Sequence, residues 1–133
     1  MALIPEYDAF AKGWEAGKNQ LVYTRLAADL DTPVSVMMKL ADAGQDSFIL
    51  ESVTGGEIRG RYSLIGMKPD LIWECRGTES CVNRTARYDR TAFEPITIPP
   101  LDAIRALLAE SAIDLPDGLP AASAGLFGYL GYD

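Results

Sequence analysis

No histidine occurs anywhere in the 133 residues. That absence removes imidazole general bases, the Ser-His-Asp arrangement and most zinc sites together. Cysteine is nearly as scarce, with Cys75 and Cys81 alone: too few for a disulfide framework and, without histidine, too few for a structural metal. Twelve basic side chains face nineteen acidic ones, a formal charge of -7, so the mean surface field repels phosphate backbones and anionic lipid headgroups. Neither nucleic acid nor a membrane is an expected partner. The local exception, Arg84, Arg87 and Arg90 near Arg76, is interrupted by Asp89 and lacks the interleaved aromatics of a single-strand-binding face; it reads as a solvated sheet edge.

Long apolar runs are missing as well. The longest, residues 121–132, is broken by glycine and falls short of the roughly 20 residues a membrane span needs. Residues 1–10 carry Glu6 and Asp8 instead of a basic leader, so no secretory or transit peptide is expected and the expected compartment is the cytoplasm. In that setting Cys75 and Cys81 are expected as reduced thiols, although their spacing around Gly77-Thr78 leaves a disulfide across a hairpin sterically conceivable. There is no Walker loop, no Gly-x-Ser-x-Gly elbow and no dinucleotide fingerprint. Acid-base chemistry would fall to carboxylates, lysine or tyrosine.

What is present is an ordinary globular composition, 48% apolar and 23% charged, in a length that suits one hydrophobic core. Tyr7, Phe10, Ala11 and Trp14 stand at helical spacing, and Gly17 and Asn19 stop that helix, expected over residues 7–18. Residues 21–26 are strand formers. Asp31-Thr32-Pro33 supplies an N-cap with proline just inside a second helix, expected to reach about Ala43. Residues 47–53 read as a strand, Thr54-Gly55-Gly56-Glu57 as a turn and residues 61–66 as the returning strand of a hairpin. Residues 71–93 alternate in short pieces broken at Gly77-Thr78 and near Asp89, as an antiparallel meander would. Pro99-Pro100 opens the clearest helix, with Leu101, Ile104, Leu107 and Leu108 on one face and Asp102, Arg105 and Glu110 on the other.

This order does not alternate as βαβ units do. The fold class is therefore α+β, a mainly antiparallel sheet with flanking helices. Residues 121–133 are expected as an apolar strand in which Gly125, Gly128 and Gly131 leave room for another backbone. A chain stopping on residues that need burial reads as a fragment, expected to self-associate around Leu126 to Tyr132.

The hairpin holds the most suggestive constellation. Strand alternation puts Glu51 on one face with Ile49 and Val53. A two-residue turn at Gly55-Gly56 would pair Ile49 with Tyr62 and Val53 with Ile58, leaving Glu51 opposite Gly60 with a hollow beside the carboxylate. An acid among apolar and aromatic walls suits a ligand with an apolar body and an ammonium group, such as a free aromatic amino acid. The plainer alternative is that Glu51 pairs with Arg59 or Arg61 across the strands. Residue chemistry leaves both open.

The blocks Leu30-Asp31-Thr32-Pro33-Val34-Ser35, Phe48-Ile49-Leu50-Glu51-Ser52-Val53 and Gly60-Arg61-Tyr62-Ser63-Leu64-Ile65-Gly66 carry a resemblance. With Pro100-Leu101-Asp102-Ala103-Ile104-Arg105 and the closing Gly125-Leu126-Phe127-Gly128-Tyr129-Leu130-Gly131-Tyr132-Asp133, they resemble, in order and spacing, the N-terminal region of anthranilate synthase component I. They are also similar to the sister enzyme aminodeoxychorismate synthase component I. Leu-Glu-Ser followed by Gly-Gly-Glu and Gly-Arg-Tyr-Ser is the anthranilate enzyme's form, with Ile49 replacing the commoner leucine. A free-standing amino-acid-binding module is the third reading.

The resemblance implies that residues 1–133 form a regulatory region. It implies an L-tryptophan site for feedback inhibition at Leu50, Glu51, Ser52, Arg61 and Tyr62, and no catalytic residue within the chain. The chorismate and Mg2+ sites would lie beyond Asp133, in a C-terminal portion that completes a two-sheet core. The intact subunit would convert chorismate and ammonia, supplied by a glutamine amidotransferase partner, to anthranilate and pyruvate. The region by itself would be inactive, with no cofactor of its own.

Overall fold

A computed structural model describes residues 2–40, 46–51 and 62–132. The chain divides into two compact units, Met1–Leu26 with Ile98–Asp133, and Ala27–Thr97.

In the first unit α1 spans Tyr7–Glu15, shorter than its expected extent because the chain turns sharply at Gly17, whose φ is +67°. The Gly17 N–H donates to Trp14 O at 2.9 Å and the Lys18 N–H to Gly13 O at 3.0 Å, the paired bonds of a glycine-terminated helix. The Gln20 amide then folds back to donate to Phe10 O at 3.0 Å. It lies so close over Gly13 that a Cβ there would meet its Oε1 at 2.2 Å. Phe10 and Trp14 stack with centroids 6.1 Å apart, yet Tyr7 and Trp14 stay largely exposed. The strand expected over residues 21–26 is a single antiparallel bridge between Ile4 and Tyr23. Its propensity is strand-like, but a strand also needs a ladder to join.

Helix α3, Pro100–Glu110, begins at the proline as expected. Asn19 Nδ2 donates to the carbonyls of Glu110 and Ala112, both at 3.0 Å, satisfying groups a helix end leaves unpaired. The buried line runs through Ala103 and Leu107, 2% and 3% exposed, while Leu101 and Leu108 are exposed. The expected apolar face is thus rotated: the small Ala103 packs inward and two leucines are left outside. Residues 121–132 do not form the expected strand. Ala121–Ser123 is a short 3-10 turn, no described ladder pairs residues 124–132, and Tyr129, Leu130 and Tyr132 are exposed.

In the second unit α2 spans Pro33–Leu40; residues 41–43, where it was expected to end, lie outside the described residues. Its start is a reciprocal cap: Thr32 Oγ1 accepts from the Ser35 N–H at 3.1 Å, and Ser35 Oγ accepts from the Thr32 N–H at 2.9 Å. This is the capping-box arrangement with serine in place of the usual glutamate. Asp31 accepts from the Ser35 hydroxyl at 3.0 Å and the Lys39 ammonium at 2.5 Å. The Lys39 bond, then that of Ser35, holds the Asp31 carboxyl below its ordinary range.

Two antiparallel sheets complete this unit, as the α+β expectation requires. Strands β1, Phe48–Leu50, and β2, Leu64–Gly66, form a ribbon, with α2 packed against β1. Strands β3, Ile72–Arg76, β4, Glu79–Asn83, and β5, Glu94–Ile96, form a sheet in that order. The Gly77-Thr78 turn joins β3 to β4 as expected, with Gly77 at φ +63°. Cys75 pairs with Ser80 and Cys81 with Glu74, so alternation sends the two thiols to opposite faces and removes a disulfide across the hairpin. The meander's last strand lies beyond its expected end, and Pro95, lacking an N–H, sits on that edge strand.

The link from β4 to β5 is organised by Asn83, which is fully buried. Its Nδ2 donates to Asp89 O at 2.7 Å, and its Oδ1 accepts from the Thr85 N–H at 2.9 Å and the Thr85 hydroxyl at 3.3 Å. Asp89 in turn accepts from the Thr91 N–H and hydroxyl, each at 2.8 Å, and these two bonds, the backbone one first, lower its pKa. Arg90 pairs with Asp46, so one member of the arginine group is engaged in the fold.

Candidate functional site

The ribbon's register decides what faces Glu51. Phe48 pairs with Gly66, Ile49 with Ile65 and Leu50 with Leu64. The expected pairing of Ile49 with Tyr62 is therefore replaced by one displaced three residues along the partner strand. The reason is steric and apolar. The Phe48 ring lies directly over Gly66, where a Cβ would meet its Cε1 at 2.2 Å, and two aliphatic cross-strand pairs continue in step. A two-residue turn at Gly55-Gly56 would require Ile49 to face Tyr62, so it does not deliver this register.

Continuing the ladder by one position sets Ser63 opposite Glu51, and the Ser63 hydroxyl donates to Glu51 Oε1 at 3.3 Å. The carboxylate thus faces a hydroxyl where the tight-turn register would put Gly60 and a hollow. Two positions back in the same alternation stands the Ile49–Ile65 pair.

Of the five residues expected at the site, three are described. Leu50 ends β1 and is 50% exposed; Tyr62 precedes β2 and is 55% exposed. Glu51, also exposed, adjoins Leu50. Ser52 and Arg61 lie outside the described residues, as do Val53, Ile58, Arg59 and Gly60. The structure adds Ser63 to the constellation. It stands beside Tyr62 in the sequence, but its position across from Glu51 depends on the cross-strand register, which residue patterns do not reveal.

Elsewhere the first unit holds a cleft of about 330 Å3 lined by Phe10, Trp14, Lys18, Asn19, Gln20, Ser111 and Ile113. Lys18 is its one charged wall, and the Asn19 and Gln20 amides already donate to backbone carbonyls, so no acid-base pair converges there. Among the described residues no cluster of His, Cys, Asp or Glu could hold a metal ion, and no helix is long and apolar enough to cross a membrane.

Fold and site together define an α+β region that presents a carboxylate and a hydroxyl from a short antiparallel ribbon. The chain is 65% identical over 127 residues to anthranilate synthase component 1 of Cereibacter sphaeroides, covering 96% of this chain and 25% of that protein. It is 37% identical over 130 residues to the protein of that name from Synechocystis, covering 97% and 25%, and 38% identical over 109 residues to that from Pseudomonas aeruginosa, covering 80% and 21%. No family model matches, and no solved structure matches. The chain belongs to the anthranilate synthase component 1 family, corresponding to its N-terminal region. It spans about a quarter of the length of the curated relatives it matches.

Proposed function

We propose that this chain is the tryptophan-sensing N-terminal part of an anthranilate synthase large subunit. The intact protein would convert chorismate and ammonia to anthranilate and pyruvate, the ammonia coming from a glutamine amidotransferase partner. Chorismate and Mg2+ would be held by the portion beyond residue 133. The observation that carries the regulatory reading is the Glu51–Ser63 pair just past the Leu50–Leu64 end of the ribbon: an exposed carboxylate beside a hydroxyl, with the Ile49–Ile65 pair two positions back in the same alternation.

The chemistry suits a free amino acid. A carboxylate attracts an ammonium group, and adjoining aliphatic surface takes up an indole ring. Feedback then requires only that tryptophan bind one arrangement of the subunit better than a more active one, since an effector shifts an equilibrium by its differential affinity alone. The resemblance assigns Ser52, the residue after Glu51, to the same site, and Ser52→Phe replaces its small hydroxyl with a bulky ring. In the complete enzyme this substitution raises the tryptophan concentration for half-inhibition by roughly tenfold or more, the scale of about 1.4 kcal/mol of lost binding, with each variant scaled to its own uninhibited rate. An unchanged inhibition curve would remove Ser52 and its neighbours from the effector site.

A further inference from the structure

We infer that Ser63 is a positioning residue of this amino-acid site, orienting Glu51 toward the ligand's ammonium group. The inference rests on the tryptophan-site reading and adds a residue to it. Glutamate at an exposed strand end has three rotatable bonds and, left alone, spreads over many rotamers that binding must then narrow. The Ser63 hydroxyl donates to Oε1 at 3.3 Å, leaving Oε2 for the incoming ammonium. The arrangement is preorganisation: part of the ordering cost is met before the ligand arrives.

The register makes this placement specific. Phe48 lies over Gly66 so closely that a side chain there would have to displace the ring, and that contact favours the Phe48–Gly66, Ile49–Ile65 and Leu50–Leu64 pairs. Ser63 is the next residue in step. A slip by one residue would set Tyr62 or Leu64 there instead, and neither could place a short hydroxyl against the carboxylate. The Phe48–Gly66 contact therefore acts on the site at a distance, by selecting the residue that faces Glu51.

The test is calorimetric titration of the full-length protein carrying this region, with L-tryptophan and with indole-3-propionate, which lacks the amino group. The unaltered protein prefers tryptophan. Ser63→Ala weakens tryptophan roughly two- to tenfold, the span expected for one hydrogen bond to a charged group at an exposed position, and leaves indole-3-propionate unchanged. Ser63→Thr, which keeps the hydroxyl, restores the preference. Equal weakening of both ligands would mean a merely structural role, and no weakening of either would mean no role; each overturns the inference. If the unaltered protein binds no tryptophan, the tryptophan-site reading itself falls. If it binds tryptophan and Glu51→Gln abolishes the preference while Ser63→Ala does not, only the inference about Ser63 falls.

Discussion

The two sheets of the second unit are antiparallel alike but are held by different means. In the β3–β4–β5 sheet, Ser80, Val82 and Asn83 are buried, and Asn83 fastens the link from β4 to β5 from within. The β1–β2 ribbon has three residues per strand and no fully buried side chain; it is aligned by a ring over a glycine and two aliphatic pairs. Burial makes the larger sheet a framework. At the end of the less buried ribbon the Glu51 carboxylate is exposed, where a ligand can reach it.

The contrast is most severely tested at Asn83. Asn83→Ala removes the side-chain partner of Asp89 O and of the Thr85 N–H in a part-buried setting and empties the fully buried place of the amide, and should cost about 2–3 kcal/mol, read from the urea unfolding midpoint. A loss near zero would mean that the link to β5 holds without its central amide. Next in size is Gly66→Ala in the ribbon, expected to cost about 1–2 kcal/mol because the added methyl must displace the Phe48 ring. Combining it with Phe48→Leu should recover part of that loss, since the two changes share one contact. A purely additive double variant would show that the ring and the glycine do not set the register together.

The smallest effect concerns pH. Asp89 has a folded pKa below its ordinary value, caused first by the Thr91 N–H and then by the Thr91 hydroxyl. A depressed carboxylate pKa contributes stability that is fully present above the unfolded value, near about 4. That contribution is lost as pH falls through the lower folded value. Asp89→Asn should therefore flatten the acid limb of a stability-against-pH curve below about pH 4, with the chief difference from the unaltered protein seen above it. An identical acid limb would show that the Thr91 bonds do not favour the charged form.

Much of the fold was legible from local signals. The glycine stop after α1, the proline start of α3, the Gly77-Thr78 hairpin and the α+β order each arise from chemistry within a few residues. The misplacements share a cause in distant partners. Residues 21–26 and 121–132 have strand-like composition, but one finds a single bridge and the other no ladder among the described residues. Helix α3 has apolar residues around much of its surface, so packing alone chose Ala103 and Leu107 for the core.

The candidate site divides the same way. The ordered blocks around Leu30, Leu50 and Arg61 carry the family resemblance, and the sequence alone sufficed to single out Glu51 as an acid set among apolar neighbours. It also determined that histidine chemistry is absent, because composition needs no geometry. Only the tertiary structure decided that Ser63 faces Glu51, that the two thiols diverge, and that Asn83 rather than an apolar residue is the most buried of the described residues in its unit. Register, facing and burial are relations between distant segments, and they are set by shape at a contact such as Phe48 over Gly66, which no local pattern records.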